Sequence, residues 1–213
     1  VVYGFNDGLT ANFGLVAGVI GADVAPHIVA ITGIAGAFAD ALSMGSSGYL
    51  AAKSEAEVQA HQIELERHEL TLMPDLEEDE LAVIYEAKGL APERARDTAR
   101  AVMRDPALAL ETLVREELNI QPAELAPLGD GVVTGVATAV GASIPIAPFL
   151  VLPPGAAVWM SLGVSMAAHF AIGAARSLFT GRSVWASGRD MFIVGVGVAA
   201  VGYLIGELIV RFF

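Results

Sequence analysis

Two settings in this chain hold side chains that could do chemistry with a cation. In the first, Asp7 lies within the apolar stretch Val1–Ala22 with Asn6 and Thr10 beside it, and Asp40, Ser43 and Met44 lie within the apolar stretch Val24–Leu50. A carboxylate at membrane depth is costly and generally faces a water-filled path or a bound cation. Positions 40, 43 and 44 are i, i+3 and i+4, so on a helix a carboxylate, a hydroxyl and a thioether share one face. Hard ions such as Mg(II) make no use of thioether sulfur, whereas later transition metals accept it. The set therefore points to ferrous iron or a similar ion, unless Met44 only fills space, as methionine does in many apolar helices. Asp7 could hold a metal, a proton, or each in turn, and competition between the two for one carboxylate is the simplest engine for an antiporter. The plainer reading is a helix cap.

The second setting is an acidic stretch. Glu66 and Glu69 are i, i+3, as are Glu77 and Glu80, and Glu116 and Glu117 follow further on. Paired carboxylates from facing helices are how helical bundles build carboxylate-held iron sites. The same spacing also describes a solvated acidic face, the commoner use of glutamate runs. His61 and His68 frame Glu64 and are either ligands or exposed; His169 reads as a hydrogen-bonded packing residue. Glu207 and Arg211 are spaced for a local ion pair, and Asp130 for an interfacial cap.

The elements that must position these residues follow from composition. The 213 residues are 54% apolar, with mean hydropathy +0.59, too apolar for an ordinary soluble domain. Charges crowd between Lys53 and Leu128, which divides the chain into a membrane part, residues 1–50 and 129–213, and an aqueous insert, residues 51–128. There is no cysteine, so any metal is held by oxygen, imidazole or thioether. The net charge of -12 argues against nucleic acid and for cationic partners. No nucleophile–base set, glycine-rich nucleotide loop or organic-cofactor motif is visible, so an enzyme is not expected.

A spanning helix needs roughly 20 mostly apolar residues. Five stretches qualify: Val1–Ala22, Val24–Leu50, Gly131–Leu152, Gly155–Phe179 and Met191–Phe213. The second is long enough to leave the bilayer as a continuous helix. Lys and Arg concentrate in the insert and around Arg176, Arg182 and Arg189, while the loops at Asp23–Pro26 and Pro153–Pro154 have neither. The positive-inside rule then places the insert and the N-terminus in the cytoplasm, with Phe213 near the far face. Gly14 and Gly18, and Gly202 and Gly206, are spaced for close packing, within the chain or across a dimer. The insert reads as four helices: Ala51–Leu72, Asp75–Ala87 closed by Gly89, Pro92–Met103, and Pro106–Leu118. Leu81, Ile84, Leu90, Ala95, Val102, Leu108, Leu110 and Leu113 are its candidate core. The expected fold class is an all-α membrane protein with five transmembrane helices and a cytoplasmic helical metal-binding insert between spans two and three.

Several segments resemble one family. Gly4-Phe5-Asn6-Asp7-Gly8-Leu9-Thr10 is similar to the aspartate-glycine signature opening the first span of the vacuolar iron transporter family. Ala41-Leu42-Ser43-Met44-Gly45 resembles its serine-methionine segment, Pro145-Ile146-Ala147-Pro148-Phe149 its third span, and Thr180-Gly181-Arg182-Ser183 with Ser187-Gly188 the loop before its last span. The resemblance covers nearly the whole chain. It implies a homodimer in the lipid bilayer that moves Fe(II), and Mn(II) with it, out of the cytosol against protons. Asp7 and Met44 map to the family's path, beside Asp40 and Ser43. Glu66, Glu69, Glu77, Glu80 and Glu117 map to the metal-binding glutamates of its insert. Two departures stand out. Ser47-Gly48-Tyr49 lacks a glutamate common after the methionine, and Leu113 and Val114 stand where some members have methionines, which leaves the insert with oxygen ligands only.

Some bacterial members carry a ferritin-like di-iron domain ahead of span one, and the opening at Val1 suits a transporter portion cut from such a fusion. Composition favours a bacterial inner membrane over a vacuolar one. The rival reading is a membrane-anchored iron-storage or iron-sensing protein that moves no ion.

Overall fold

Proline punctuates this chain. In a computed structural model, which describes residues 1–120 and 126–212, six of the eight helices begin on one: α2 (Pro26–Leu72), α3 (Pro74–Ala87), α4 (Pro92–Met103), α5 (Pro106–Glu116), α6 (Pro127–Val151) and α7 (Pro154–Thr180). The N–H that proline lacks is one the first turn leaves unpaired anyway, which suits it to helix starts; α6 also carries Pro145 and Pro148 in its interior. Only α1 (Val2–Gly21) and α8 (Val184–Phe212) start otherwise. Gly89 (φ 97°) and Gly181 (φ 65°) take the left-handed conformation just beyond α3 and α7, where a side chain would be strained. Asp105 caps α5, its carboxylate accepting from the amides of Ala107 (3.0 Å) and Leu108 (3.4 Å). Among the described residues there is no strand.

The chain divides into two compact units, Val1–Leu50 with Pro127–Phe213, and Ala51–Ala126. In the first, α2, α6, α7 and α8 are each long and apolar enough to cross a membrane. The expected first span, α1, falls short of that measure, since Asn6, Asp7, Thr10 and Asn12 lower its hydropathy. It packs instead against α6, α7 and α8, with Leu9, Phe13 and Val16 almost wholly covered. Large apolar residues face outward around it, among them Phe38, Leu42, Trp159, Phe179 and Ile205. That is the reverse of a water-soluble domain and suits a lipid surround.

Small residues let the backbones meet. A Cβ on Gly8 would overlap the Thr138 carbonyl of α6, and one on Gly206 would overlap the Gly18 carbonyl of α1. Gly14, Gly18, Gly202 and Gly206 thus pack α1 on α8 within one chain, as small-residue spacing permits. The helix that holds the expected last span, Met191–Phe213, begins earlier, at Val184. Its first turns carry Arg189 and Asp190, which a hydropathy window skips, yet they continue the helix, with Arg182 pairing Asp190 at 2.9 Å. Phe213 and residues 121–125 lie outside the described residues.

The second unit has a small core of Leu81, Ala82, Ala99 and Leu113, flanked by Leu70, Tyr85 and Val102, and Ala95 is also buried. The expected core members Leu90 and Leu108 are exposed. Leu90 follows the Gly89 turn, and Leu108 lies in the first turn of α5 at the edge of the stripe formed by its buried Ala109, Thr112 and Leu113. Alanines on α4 take the central places, which lets short helices approach closely.

Candidate metal centre

Glu66 on α2, Glu77 on α3 and Glu117 at the end of α5 bring carboxylate oxygens within 4.8 Å of one another. Glu66 is only 2% exposed and Glu77 3%, although both lie on acidic segments that sequence spacing would equally leave in water. Glu66 Oε1 and Glu77 Oε2 are buried without a hydrogen-bond partner. Burying a carboxylate unpaired is costly, and placing others beside it adds repulsion. The result is visible in their protonation. Burial first, then Glu117, Glu77 and Glu69, push Glu66 up to about 8. Burial also raises Glu77, with help from Glu80 and Glu69, although the hydrogen bond it receives from Glu66 holds it back. Glu117 is raised by burial and by Glu80, Glu77 and Glu69.

The distribution of bases separates this cluster from an ordinary acidic surface. In the insert, Lys53 pairs Glu57, Arg67 pairs Glu64, Arg100 pairs Glu78 and Asp97, and Lys88 and Arg115 both reach Glu116. Among the described residues no base pairs Glu66, Glu69, Glu77, Glu80 or Glu117. Neighbouring glutamates are thus sorted: Glu116 turns to cations of the protein, and Glu117 to other acids. A divalent ion is the counter-charge this arrangement lacks, and all its ligands would be oxygen, a hard donor set. His61 and His68 are exposed and stand outside the triad. Leu113, where a thioether was a possibility by resemblance, is buried in the core.

In the membrane unit the polar side chains meet between α1 and α2. Ala11, Asn12, Leu15, Gly36, Ala39, Asp40 and Ser43 line a groove of about 330 Å³. Asp7 is half-buried, one turn before Ala11, and its carboxylate acts on that of Asp40 through space. Met44 is half-buried but does not line the groove. At 100° per residue it flanks Asp40 on the side opposite Ser43, so the shared face splits. Gly48, at the place of the missing glutamate, fits tightly against α6: a Cβ there would sit 3.2 Å from Thr134 Oγ1 and 3.4 Å from the Asp130 carbonyl.

Sequence reasoning missed Asn12. Its Nδ2 donates to the Ala142 carbonyl of α6 (2.7 Å) and the Gly33 carbonyl of α2 (3.2 Å), and its signal was only an amide among apolar residues. His169 is the hydrogen-bonded packing residue expected. Its Nδ1 donates to the Ser165 carbonyl (2.8 Å), which leaves Nε2 to accept from the Thr10 hydroxyl (3.3 Å). Phe13 packs on its ring. Arg211 pairs Glu207 at the end of α8.

Long apolar helices with isolated polar groups between them, joined in sequence to an acidic helical unit, define a membrane protein equipped to meet cations. The sequence comparisons narrow the class. Residues 1–207 match the VIT family, and the chain belongs to that family. It is 31% identical over 211 residues to "Vacuolar iron transporter 1" of Arabidopsis thaliana, covering 98% of this chain and 84% of the relative. It is 32% identical over 206 residues to "Vacuolar iron transporter 2" of Oryza sativa subsp. japonica, covering 95% and 83%. A vacuolar iron transporter of Toxoplasma gondii is 28% identical over 220 residues, covering 98% and 73%.

Proposed function

We propose that this chain carries Fe(II), and Mn(II) with it, out of the cytosol in exchange for protons, as a homodimeric secondary transporter and not as an enzyme. The observation that carries this reading is the sorted acidic cluster, Glu66, Glu77 and Glu117, with Glu69 and Glu80 adding charge. Carboxylates crowded together without a base are relieved by a proton or by a cation, and a cationic cargo is the one that fits a membrane protein of this kind. In this reading α1 serves as the first of five spans, its polar residues turned to its neighbours, and the insert and N-terminus face the cytoplasm. The chain works in a bacterial inner membrane or, as its relatives' names have it for them, a vacuolar one.

The insert collects the ion on its glutamates. The ion then passes Asp7, Asp40, Ser43 and Met44, and protons moving the other way discharge Asp7. An oxygen-only insert selects by charge and size, so any preference for Fe(II) over Mg(II) falls to Met44. The test is flux into proteoliposomes holding an iron-sensitive dye under a pH gradient. Asp7→Ala and Met44→Ala are expected to abolish it. Flux undiminished by Asp7→Ala ends this mechanism, and vesicles that stay dark with the unmodified chain favour storage or sensing.

A further inference from the structure

We infer that Asn12, Asp40 and Ser43 form a second divalent-cation station in the α1–α2 groove, with Asn12 supplying a neutral oxygen ligand. Its place as a step on a path rests on the transport reading above; its existence as a binding site does not.

The orientation of Asn12 is fixed by its partners. The side chain is 2% exposed, and both groups that its Nδ2 meets, the carbonyls of Gly33 and Ala142, can only accept. The amide nitrogen must therefore face them and Oδ1 must face away. Oδ1 is buried and has no hydrogen-bond partner. It lies toward α2 at Gly36, where a Cβ would come within 3.0 Å of it. Gly36, Asp40 and Ser43 follow one another on a single stripe of α2, and all three line the groove with Asn12. Asp40 Oδ2 is also buried without a partner.

A role as a clamp between helices accounts for Nδ2 and leaves Oδ1 unexplained. An amide oxygen and an ionised carboxylate are both acceptors and cannot satisfy each other; a cation in the groove would serve both. The groove, about 330 Å³, has room for an ion that keeps several water ligands, each taking about 30 Å³. The charge of Asp7 adds to the local negative potential. An amide in place of a third carboxylate coordinates without adding charge, so an ion is held loosely enough to leave. The donors are oxygen, which suits Mn(II) and Fe(II) better than thiophilic ions.

The test uses the full chain in detergent with Glu66→Gln, Glu77→Gln and Glu117→Gln, which silence the insert, and Mn(II) followed by electron paramagnetic resonance. This background is expected to keep one bound Mn(II) per chain. Asp40→Asn and Asn12→Leu are each expected to weaken it by about tenfold or more. Asn12→Leu also removes the clamp, so Gly36→Ala is the deciding variant. It leaves Asn12 and both its bonds in place and sets a methyl against Oδ1, displacing only the flexible end of Leu15. It too is expected to weaken Mn(II) by about tenfold. No Mn(II) bound by the background, or unchanged affinity in Gly36→Ala, overturns the station. If that happens while the unmodified chain still moves Fe(II), the transport reading stands without it. Retained Mn(II) in a chain that moves no ion has the opposite meaning: the station stands and the transport reading fails.

Discussion

The insert and the α1–α2 groove both lack counter-charge, but they differ in how much negative charge they concentrate. In the insert, three glutamates crowd within 4.8 Å and two of them are buried. In the groove, a single carboxylate stands with an amide and a hydroxyl, and a second acid acts from one turn away. Crowded carboxylates bind a divalent ion tightly and also bind protons tightly, because either relieves the repulsion. Sparse ligands hold an ion briefly. Capture and passage make opposite demands, and on the transport reading proposed above the two regions divide them.

The largest effect follows from that division. Neutralising the insert with Glu66→Gln, Glu77→Gln and Glu117→Gln should lower its affinity for Mn(II) by about a hundredfold, measured by calorimetry on the full chain. The same variant should slow Fe(II) flux several-fold without stopping it, whereas Asp7→Ala stops it. Equal loss of flux from both changes would show one continuous site and erase the contrast.

A second, smaller effect is set by protons. The folded value of Glu66, about 8, lies above the ordinary 4.5, so the folded insert holds a proton that an unfolded chain has released. Without metal, its stability is therefore greatest below about 4.5 and falls as pH rises toward 8. Metal binding must displace that proton, so affinity should climb across the same window and level off above it. Thermal unfolding and Mn(II) titration between pH 5 and pH 8.5 check both slopes, which should flatten together in Glu66→Gln. A flat metal affinity in the unmodified chain would contradict the protonation assigned to the triad.

Much of the architecture is legible in the sequence because its signals are local. Proline at helix starts and glycine beyond helix ends mark boundaries that need no tertiary knowledge, and α3, α4 and α5 open at or beside the prolines expected of them. Hydropathy marks α2, α6, α7 and α8. It passes over α1, whose Thr10 and Asn12 side chains bond residues far away in sequence. The insert glutamates could be nominated by spacing, but spacing does not sort Glu116 from Glu117. That depends on Lys88 and Arg115 reaching one and not the other. Asn12 was invisible for the same reason, as its partners lie 21 and 130 residues away. The misplaced Leu90 and Leu108 reflect a core filled by alanines, which carry little periodic signal.

The finest contrast concerns sulfur. If the insert captures ions on oxygen alone, adding a thioether nearby should matter only where it can reach the triad. Leu113 stands four residues before Glu117, on the same side of α5, but it is fully buried among Leu81, Ala82 and Ala99, and that packing is expected to keep a thioether there from the carboxylates. Leu113→Met conserves volume and should cost less than about 1.5 kcal/mol, read by thermal unfolding. It should leave the Mn(II) affinity of the insert and its preference between Mn(II) and Co(II) unchanged. A shift toward Co(II) would mean that the buried side of α5 opens to the carboxylates, and that the boundary between core and metal centre is less sharp than the packing of Leu113 implies.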